Sequence, residues 1–347
     1  MEKQIFFIEN PLIDISVELK DNAILDKYEL QHGQASLAGE KQLPIYDELW
    51  NMEGREAIPG GSGLNSARSC NFMLKSQGAE GKVTYFGCIG DDEKGKTLQK
   101  DLADSGMTGN FHIDPETPTG TCAVVVVDKE RTLCANLAAA CKYSSEHLAS
   151  NMDTLKNAKI IYTTSFFITS NVEALMKVAQ FATDNDVPLG YNLSAVFLLQ
   201  FELQNVLNAI EHADYVFANE DEAAAYATSQ QMEGADLISV AKHLAMRKKT
   251  KQNRPRVVIL TQGAKEIIVA KHMPGDEAAE VTQYPVEALA KEQIVDTNGA
   301  GDAFVGGFMA QLYKDQDLAT CVRAGISLSR EVVQRSGCTF PENFKFE

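Results

Sequence analysis

The sequence predicts a doubly wound α/β domain, a largely parallel sheet flanked by helices, with a small second sheet lying over it as a lid. Three observations carry that prediction. After residue 80, short β-rich apolar runs alternate with amphipathic helical stretches. Two segments, 15–65 and 116–141, hold strand-like pieces without a regular helical partner. No internal repeat or low-complexity tract breaks the pattern.

MEKQIFFIENPLIDIS reads as a first strand, since Glu9 and Asp14 interrupt an apolar stretch too short for a signal peptide. Further strands are expected at KVTYFGCIG, KIIYTTSFF, DVPLGYNLS, ADYVFANE, RVVILTQG and EIIVAK. Helical patterns fall between them at 172–183, 220–227 and 238–246. TCAVVVVDKERTLCANLA predicts two strands around a turn at 128–131, with Gly60, Gly61 and Gly120 as hinge positions for the lid. In such a fold, ligands bind beyond the carboxyl ends of the parallel strands.

The chain has 347 residues, 32 Lys and Arg against 48 Asp and Glu, and a formal net charge of −16. That balance argues against a nucleic-acid partner, whose phosphates need a cationic surface. No run of 18 apolar residues is present to span a membrane. The seven cysteines (70, 88, 122, 134, 141, 321, 338) are odd in number, widely spaced and free of any CxxC pair. They predict buried thiols in a reducing, cytoplasmic setting rather than disulfides or a zinc site. The basic run MRKKTKQNRPR at 246–256 is expected to be a solvated loop.

Two glycine loops compete as phosphate sites. Gly90-Asp91-Asp92-Glu93-Lys94-Gly95-Lys96-Thr97 satisfies the Walker A pattern letter by letter. Three of its four variable positions are acidic, and such carboxylates repel a polyphosphate. The alternative is a surface turn in which Asp caps the following helix. The second loop, Asp296-Thr297-Asn298-Gly299-Ala300-Gly301-Asp302, precedes the helical pattern AFVGGFMAQLYK. Small residues at 299–301 free the backbone N–H groups at a helix N-terminus to form a hole for negative charge. Asp302 beside that hole could take a hydroxyl proton during phosphoryl transfer, or could simply cap the helix. Spacing alone leaves both readings open. Gly306-Gly307 predicts close packing of that helix on the sheet.

At this loop the sequence resembles the ribokinase-like family of carbohydrate and nucleoside kinases. DTNGAGD is similar to that family's C-terminal signature, Gly60-Gly61-Ser62-Gly63-Leu64-Asn65 to its Gly-Gly-x-x-x-Asn element, and Asn219-Glu220-Asp221-Glu222 to its Asn-x-x-Glu element. NPLIDIS, TGTCA, NLAAA, SFF, NLSA, TQG and GCTFPE occur in the order seen in the adenosine-phosphorylating members. The resemblance implies transfer of the ATP γ-phosphoryl group to the 5′-hydroxyl of adenosine, with Mg²⁺, in a monomer. A kinase for another nucleoside or a sugar, and a non-catalytic nucleoside sensor, are the rival readings.

The resemblance also implies roles for individual residues. Asp302 is the base, and Gly299, Ala300 and Gly301 form the anion hole. Arg131 swings over the phosphates from the lid. Asp14, Asn65 and Gly61 hold the ribose, with Gly60 and Asn10 lining the pocket. Leu12, Leu37, Cys122, Leu133, Ala135 and Phe167 form the adenine slot, Phe167 by stacking. Asn192, Asn219, Glu222, Asn298, Thr261 and Gly263 organise ATP, and Glu222 reaches Mg²⁺ through water. The implied division is a large nucleotide-binding domain (1–14, 66–115, 142–347) and a lid (15–65, 116–141). Ile326 follows Ala324-Gly325 where many members carry His, which bears on the contacts to the donor's base.

Overall fold

The computed structural model describes residues 3–127 and 130–346. Its strands, in chain order, are β1 (Gln4–Ile8), β2 (Leu12–Leu19), β3 (Ala35–Leu37), β4 (Glu56–Gly60), β5 (Val83–Gly90), β6 (Thr108–Asp114) and β7 (Thr121–Val127). They continue with β8 (Glu130–Asn136), β9 (Ala158–Thr164), β10 (Leu189–Asn192), β11 (Tyr215–Asn219), β12 (Arg256–Thr261), β13 (Ile267–His272) and β14 (Glu280–Tyr284). Nine form one sheet in the order β14-β13-β12-β11-β10-β9-β1-β5-β6. It is parallel from β12 to β6, and the β12–β13 and β13–β14 pairs are antiparallel. The other five form a smaller sheet, β3-β8-β7-β2-β4.

The central strands are buried on both faces, which explains their unbroken apolar runs. In β1, Ile5 and Phe7 enter one core while Phe6 and Ile8 enter the other. Val257 and Ile259 of β12 divide from Val258 and Leu260 in the same way. On the first side lie the helices Ser62–Ser76, Ala300–Tyr313 and Leu318–Val332. The helices Val172–Asp184, Leu203–His212, Glu220–Ser229 and Leu237–Met246 cover the second.

Gly306 and Gly307 do permit close packing, but against helices rather than the sheet. A Cβ on Gly306 would collide with Ser69 and lie 2.7 Å from the Cys70 nitrogen, and one on Gly307 would lie 2.6 Å from the Ala324 carbonyl. The helix Ala300–Tyr313 is therefore wedged between its two neighbours at backbone distance.

In the smaller sheet β7 and β8 pair antiparallel, with Val127 opposite Glu130. Asp128 and Lys129 of the expected turn lie outside the described residues, and Arg131 stands in β8. All seven cysteines are free. Among the described residues no helix is long and apolar enough to cross a membrane.

The expectation for the basic run needs correction. Arg256 is 1% exposed and Lys249 6%. Arg256 donates to the carbonyls of Ile210 (2.8 Å), Ala213 (3.2 Å) and Lys248 (3.0 Å), and also to those of Leu244 and Arg247. One guanidinium thus satisfies the carboxyl ends of two helices, where unpaired carbonyls and the negative dipole end favour a cation. Lys249 pairs with Asp214 at 2.7 Å. Replacing Arg256 with Met should lower unfolding free energy by about 3–5 kcal/mol, as leaving several buried backbone carbonyls without a donor does. Denaturant titration measures it, and a loss under about 1 kcal/mol would contradict this role.

Candidate active site

The site forms where the strand ends meet the N-termini of two helices. β9, β10, β11 and β12 end at Thr164, Asn192, Asn219 and Thr261. The helix Ala300–Tyr313 begins there after Gly299, whose φ of 76° is left-handed and suits glycine. Asp302 lies in its first turn, so its side chain turns away from the N-cap role that spacing left open. Ser62 Oγ donates to Asp302 Oδ1 at 2.7 Å, and Asn65 Nδ2 donates to Oδ2 at 3.3 Å. The two donors come from the start of the helix Ser62–Ser76, whose N-cap is Gly61 at φ 88°. Burial pushes the Asp302 carboxyl up to about 6, and the two hydrogen bonds hold it back from rising further.

Two adjoining cavities meet at this point. One of about 190 Å³ is lined by Ser62, Asn192, Asn219, Glu222, Gly299 and Asp302, among others. The second, of about 510 Å³, is bordered by Gly263, Ala300, Leu289, Ile326, Arg330 and Val333. Asn219, Thr261, Gly301 and Phe304 line both. A Cβ on Gly301 would meet open space, so the backbone there faces the cavities bare. Asn298 lines neither cavity: it is exposed, and its N–H donates to Asp296 Oδ1 at 3.0 Å.

Asn219 and Glu222 cap their helix reciprocally. The Glu222 N–H donates to Asn219 Oδ1 at 2.8 Å, and the Asn219 N–H donates to Glu222 Oε2 at 3.0 Å. Burial raises the Glu222 carboxyl to about 7. Among the described residues no three His, Cys, Asp or Glu side chains are grouped to cage a metal. One carboxylate at the cavity wall, with amide oxygens beside it, suits Mg²⁺, which keeps most of its waters and takes further oxygens from phosphates.

On the other side of Asp302, Asp14 of β2 lies against Gly60 of β4. A Cβ on Gly60 would overlap the Asp14 carboxyl group. Burial raises the Asp14 carboxyl to about 7, while Arg68 and Arg131 pull it down. Leu12 and Cys122 form a small apolar cluster, with Leu133 and Ala135 packed against it. Arg131 reaches down from β8 to the loop before the anion hole. Its Nε lies 3.2 Å from Asp296 Oδ2, and it also bonds Ser336.

Three expected ligand contacts are occupied or absent in this conformation. Asn10 is 3% exposed and its amide is spent on Phe166 O, Thr169 Oγ1 and Ser170 Oγ, so it shapes the site from behind. Phe167 is 1% exposed and sits edge-on to Tyr143 with ring centroids 5.4 Å apart, leaving no free face for stacking. Leu37 is 60% exposed and lies outside the Leu12 cluster. Sequence reasoning missed Ser62, which the small residue after Gly60-Gly61 could have suggested. It also missed Arg68, Asp296 as the partner of Arg131, and the buried Glu9.

The acidic glycine loop forms no phosphate cradle. Asp92 caps the helix Glu93–Asp104, accepting from the Gly95 N–H at 2.7 Å, and it also accepts from Thr119 N–H (2.8 Å) and Oγ1 (2.6 Å). Lys96 points outward beside Asp91 at 3.5 Å.

Comparison with known proteins agrees with this geometry. Residues 35–344 match the pfkB family carbohydrate kinases. Adenosine kinase 2 of Arabidopsis thaliana is 40% identical over 97% of this chain and 95% of its own length, and adenosine kinase of Dictyostelium discoideum 37% over 96% and 95%. The crystal structure of Anopheles gambiae adenosine kinase in complex with P1,P4-di(adenosine-5) tetraphosphate superposes with a TM-score of 0.89 at 38% identity, covering all of both chains. Schistosoma mansoni adenosine kinase in complex with 2-fluoroadenosine gives 0.88 at 31% identity, over 99% and 98% of the two chains. With a mixed α/β scaffold, an Asp302 carboxylate at a bare helix N-terminus and relatives of this closeness along nearly its whole length, the chain belongs to the pfkB family of carbohydrate kinases, among the adenosine kinases.

Proposed function

We propose that the protein transfers the γ-phosphoryl group of ATP to the 5′-hydroxyl of adenosine, releasing AMP and ADP. The observation that carries this reading is the position of Asp302, gripped by Ser62 and Asn65 on the wall of the smaller cavity, next to Gly301, which both cavities share at the N-terminus of its helix. ATP lies in the larger cavity, which at about 510 Å³ is in the range of nucleotide-sized sites. Its phosphates run toward Gly299, Ala300 and Gly301. Asn192, Asn219, Thr261 and Gly263 border them. Adenosine lies on the other side of Asp302. Asp14, Asn65 and Gly61 take its ribose hydroxyls, and the Leu12–Cys122–Leu133–Ala135 cluster takes its base.

In the reaction the 5′-oxygen forms a bond to the γ-phosphorus as the bond to the β-γ bridging oxygen breaks. Asp302 accepts the hydroxyl proton, and the electron pair of the broken bond leaves with ADP. The backbone amides of Gly299 and Gly301, with Arg131, face the developing negative charge, and the Ala300 N–H, which donates to Thr297 O at 3.2 Å, would leave that bond to join them. Glu222, with the amide oxygen of Asn219 beside it, would hold Mg²⁺, which would neutralise charge on the phosphates when bound. The smaller sheet is the lid: closed, it excludes water from Asp302, which could otherwise activate it to hydrolyse ATP.

Replacing Asp302 with Asn should lower kcat by about 10²–10⁴-fold while adenosine still binds in calorimetry. Near-normal turnover in that variant would overturn the mechanism, and ribose or fructose outpacing adenosine in a substrate panel would overturn the choice of acceptor. Because Asp302 must be ionised to accept the proton and its carboxyl is raised to about 6, kcat/KM for adenosine should rise about tenfold with pH from 5 to 7. A flat profile from pH 5 to 7 would contradict the assignment. Replacing Arg131 with Ala should lower kcat by about 10²-fold, as loss of one charge-stabilising donor does. Unchanged kcat in steady-state assays would remove Arg131 from the mechanism.

A further inference from the structure

The larger cavity adjoins two other hollows. On one side Asn219, Thr261, Gly301 and Phe304 join it to the small cavity that holds Asp302. On another, a hollow of about 400 Å³ adjoins it through Glu287, Leu289, Ile326 and Arg330. Among the described residues, none that lines this hollow also lines the small cavity. With the donor's phosphates at 299–301, its base lies toward Leu289, Ile326 and Arg330.

That part of the wall comes from the helix Leu318–Val332 and the segment after β14. Ile326 and Arg330 stand four positions apart on one face of the helix. Val286, Leu289, Ile294 and Val333 are apolar. Such walls hold any purine and distinguish none. Arg330 adds the means to distinguish. Its side chain is 33% exposed, and its Nη1 donates to Glu287 Oε2 at 2.6 Å, which holds the guanidinium at the cavity wall. Among the described residues that is the one hydrogen bond its side chain makes, and its Nε is buried without a partner. Glu287 gives one oxygen to this pair and is 81% exposed to solvent.

A guanidinium offers N–H donors and no acceptor. The O6 and N7 atoms of guanine or hypoxanthine are two adjacent acceptors that match it. Adenine sets an amino group beside N7, so one N–H would face another. We propose that Arg330 reads the base of the phosphate donor and opens the site to 6-oxopurine nucleoside triphosphates, GTP and ITP, alongside ATP. The inference rests on the donor lying in the larger cavity, as proposed above. The transfer itself is unchanged. The acceptor 5′-oxygen bonds the γ-phosphorus, the bond to the β-γ bridging oxygen breaks with its electron pair leaving on GDP or IDP, and Asp302 takes the proton.

The test measures kcat and donor KM for ATP, GTP and ITP at saturating adenosine, in wild type, Arg330→Gln and Arg330→Met, with thermal midpoints to confirm folding. In wild type, kcat/KM with GTP and ITP should lie within about tenfold of that with ATP. A glutamine amide, with one donor and one acceptor, suits the N6 and N7 edge of adenine. Arg330→Gln should therefore lower the GTP-to-ATP ratio of kcat/KM about tenfold or more, roughly what one bidentate base contact contributes. The change should appear in KM, with kcat little altered. Arg330→Met should lose GTP and ITP use in the same way and keep ATP, and it carries the test if the Gln variant does not fold. A purely structural role would shift all three donors together. Wild-type GTP and ITP values more than tenfold below ATP, or variants in which the three donors change in parallel, overturn the proposal. No product from adenosine with any of the three donors overturns the reading of the Asp302 site instead, and this inference with it.

Discussion

The close packing of the helices Ser62–Ser76 and Ala300–Tyr313 is the constraint on which the site depends. Gly306 lets the two backbones approach until a side chain on it would strike Ser69. Widening that gap by even one methyl group would draw the first turn of one helix away from the first turn of the other. Those first turns hold Ser62 and Asn65 on one side and Asp302 on the other. A carboxylate in an unsupported loop would sample many rotamers. Here two donors and a backbone wedge fix both of its oxygens, and positioning of this kind is much of what a phosphoryl-transfer site supplies.

The same packing produces an unusual electrostatic setting. Glu9, Asp14, Glu222 and Asp302 all lie where burial raises their carboxyl groups, to about 8, 7, 7 and 6 in turn. The protein as a whole is acidic, yet at neutral pH the innermost of these groups is mostly uncharged. Burial thus lowers the negative charge these groups carry at neutral pH, while Asp302, the least raised of the four, stays mostly ionised. The nearby cations are few and each is tied: Arg68 donates to Pro59 O and Cys338 O, and Arg131 pairs with Asp296. The overall charge of −16 says little about this field, since most acidic side chains are on the surface and screened by salt.

The positions of many strands and of several helices were legible, because their signals are local. Alternating apolar runs and amphipathic stretches survive in the sequence whatever they pack against, and the helix expected at 172–183 is Val172–Asp184. Charge logic also separated the two glycine loops, since Asp92 does cap its helix and the loop cradles nothing. What was not legible depends on distant partners. Arg256 sits in a run of basic residues that reads as solvated, and only the convergence of two helix ends makes it a core residue. Phe167 reads as a stacking platform until Tyr143 is found against it. Glu9 looks like an interruption of a hydrophobic strand, and its meaning depends on Gly63, more than 50 positions away.

The Arg131–Asp296 pair links the smaller sheet to the loop that leads into the anion hole. Asp296 is nearly inaccessible; it also accepts from the Asn298 N–H at 3.0 Å and the Gly337 N–H at 2.8 Å. It therefore organises the loop whether or not Arg131 is present, since backbone donors satisfy it on two sides. Arg131 is the exchangeable partner. Leaving a buried carboxylate that keeps two amide hydrogen bonds is less costly than abandoning an unpaired one, because the desolvated charge retains compensation. A phosphate bound at 299–301, three residues beyond Asp296 in the same loop, would compete with Asp296 for that guanidinium. The Arg131–Asp296 pair would thus keep a cation in the loop that leads to 299–301, and transferring it to a phosphate would require rearranging one side chain rather than refolding a loop.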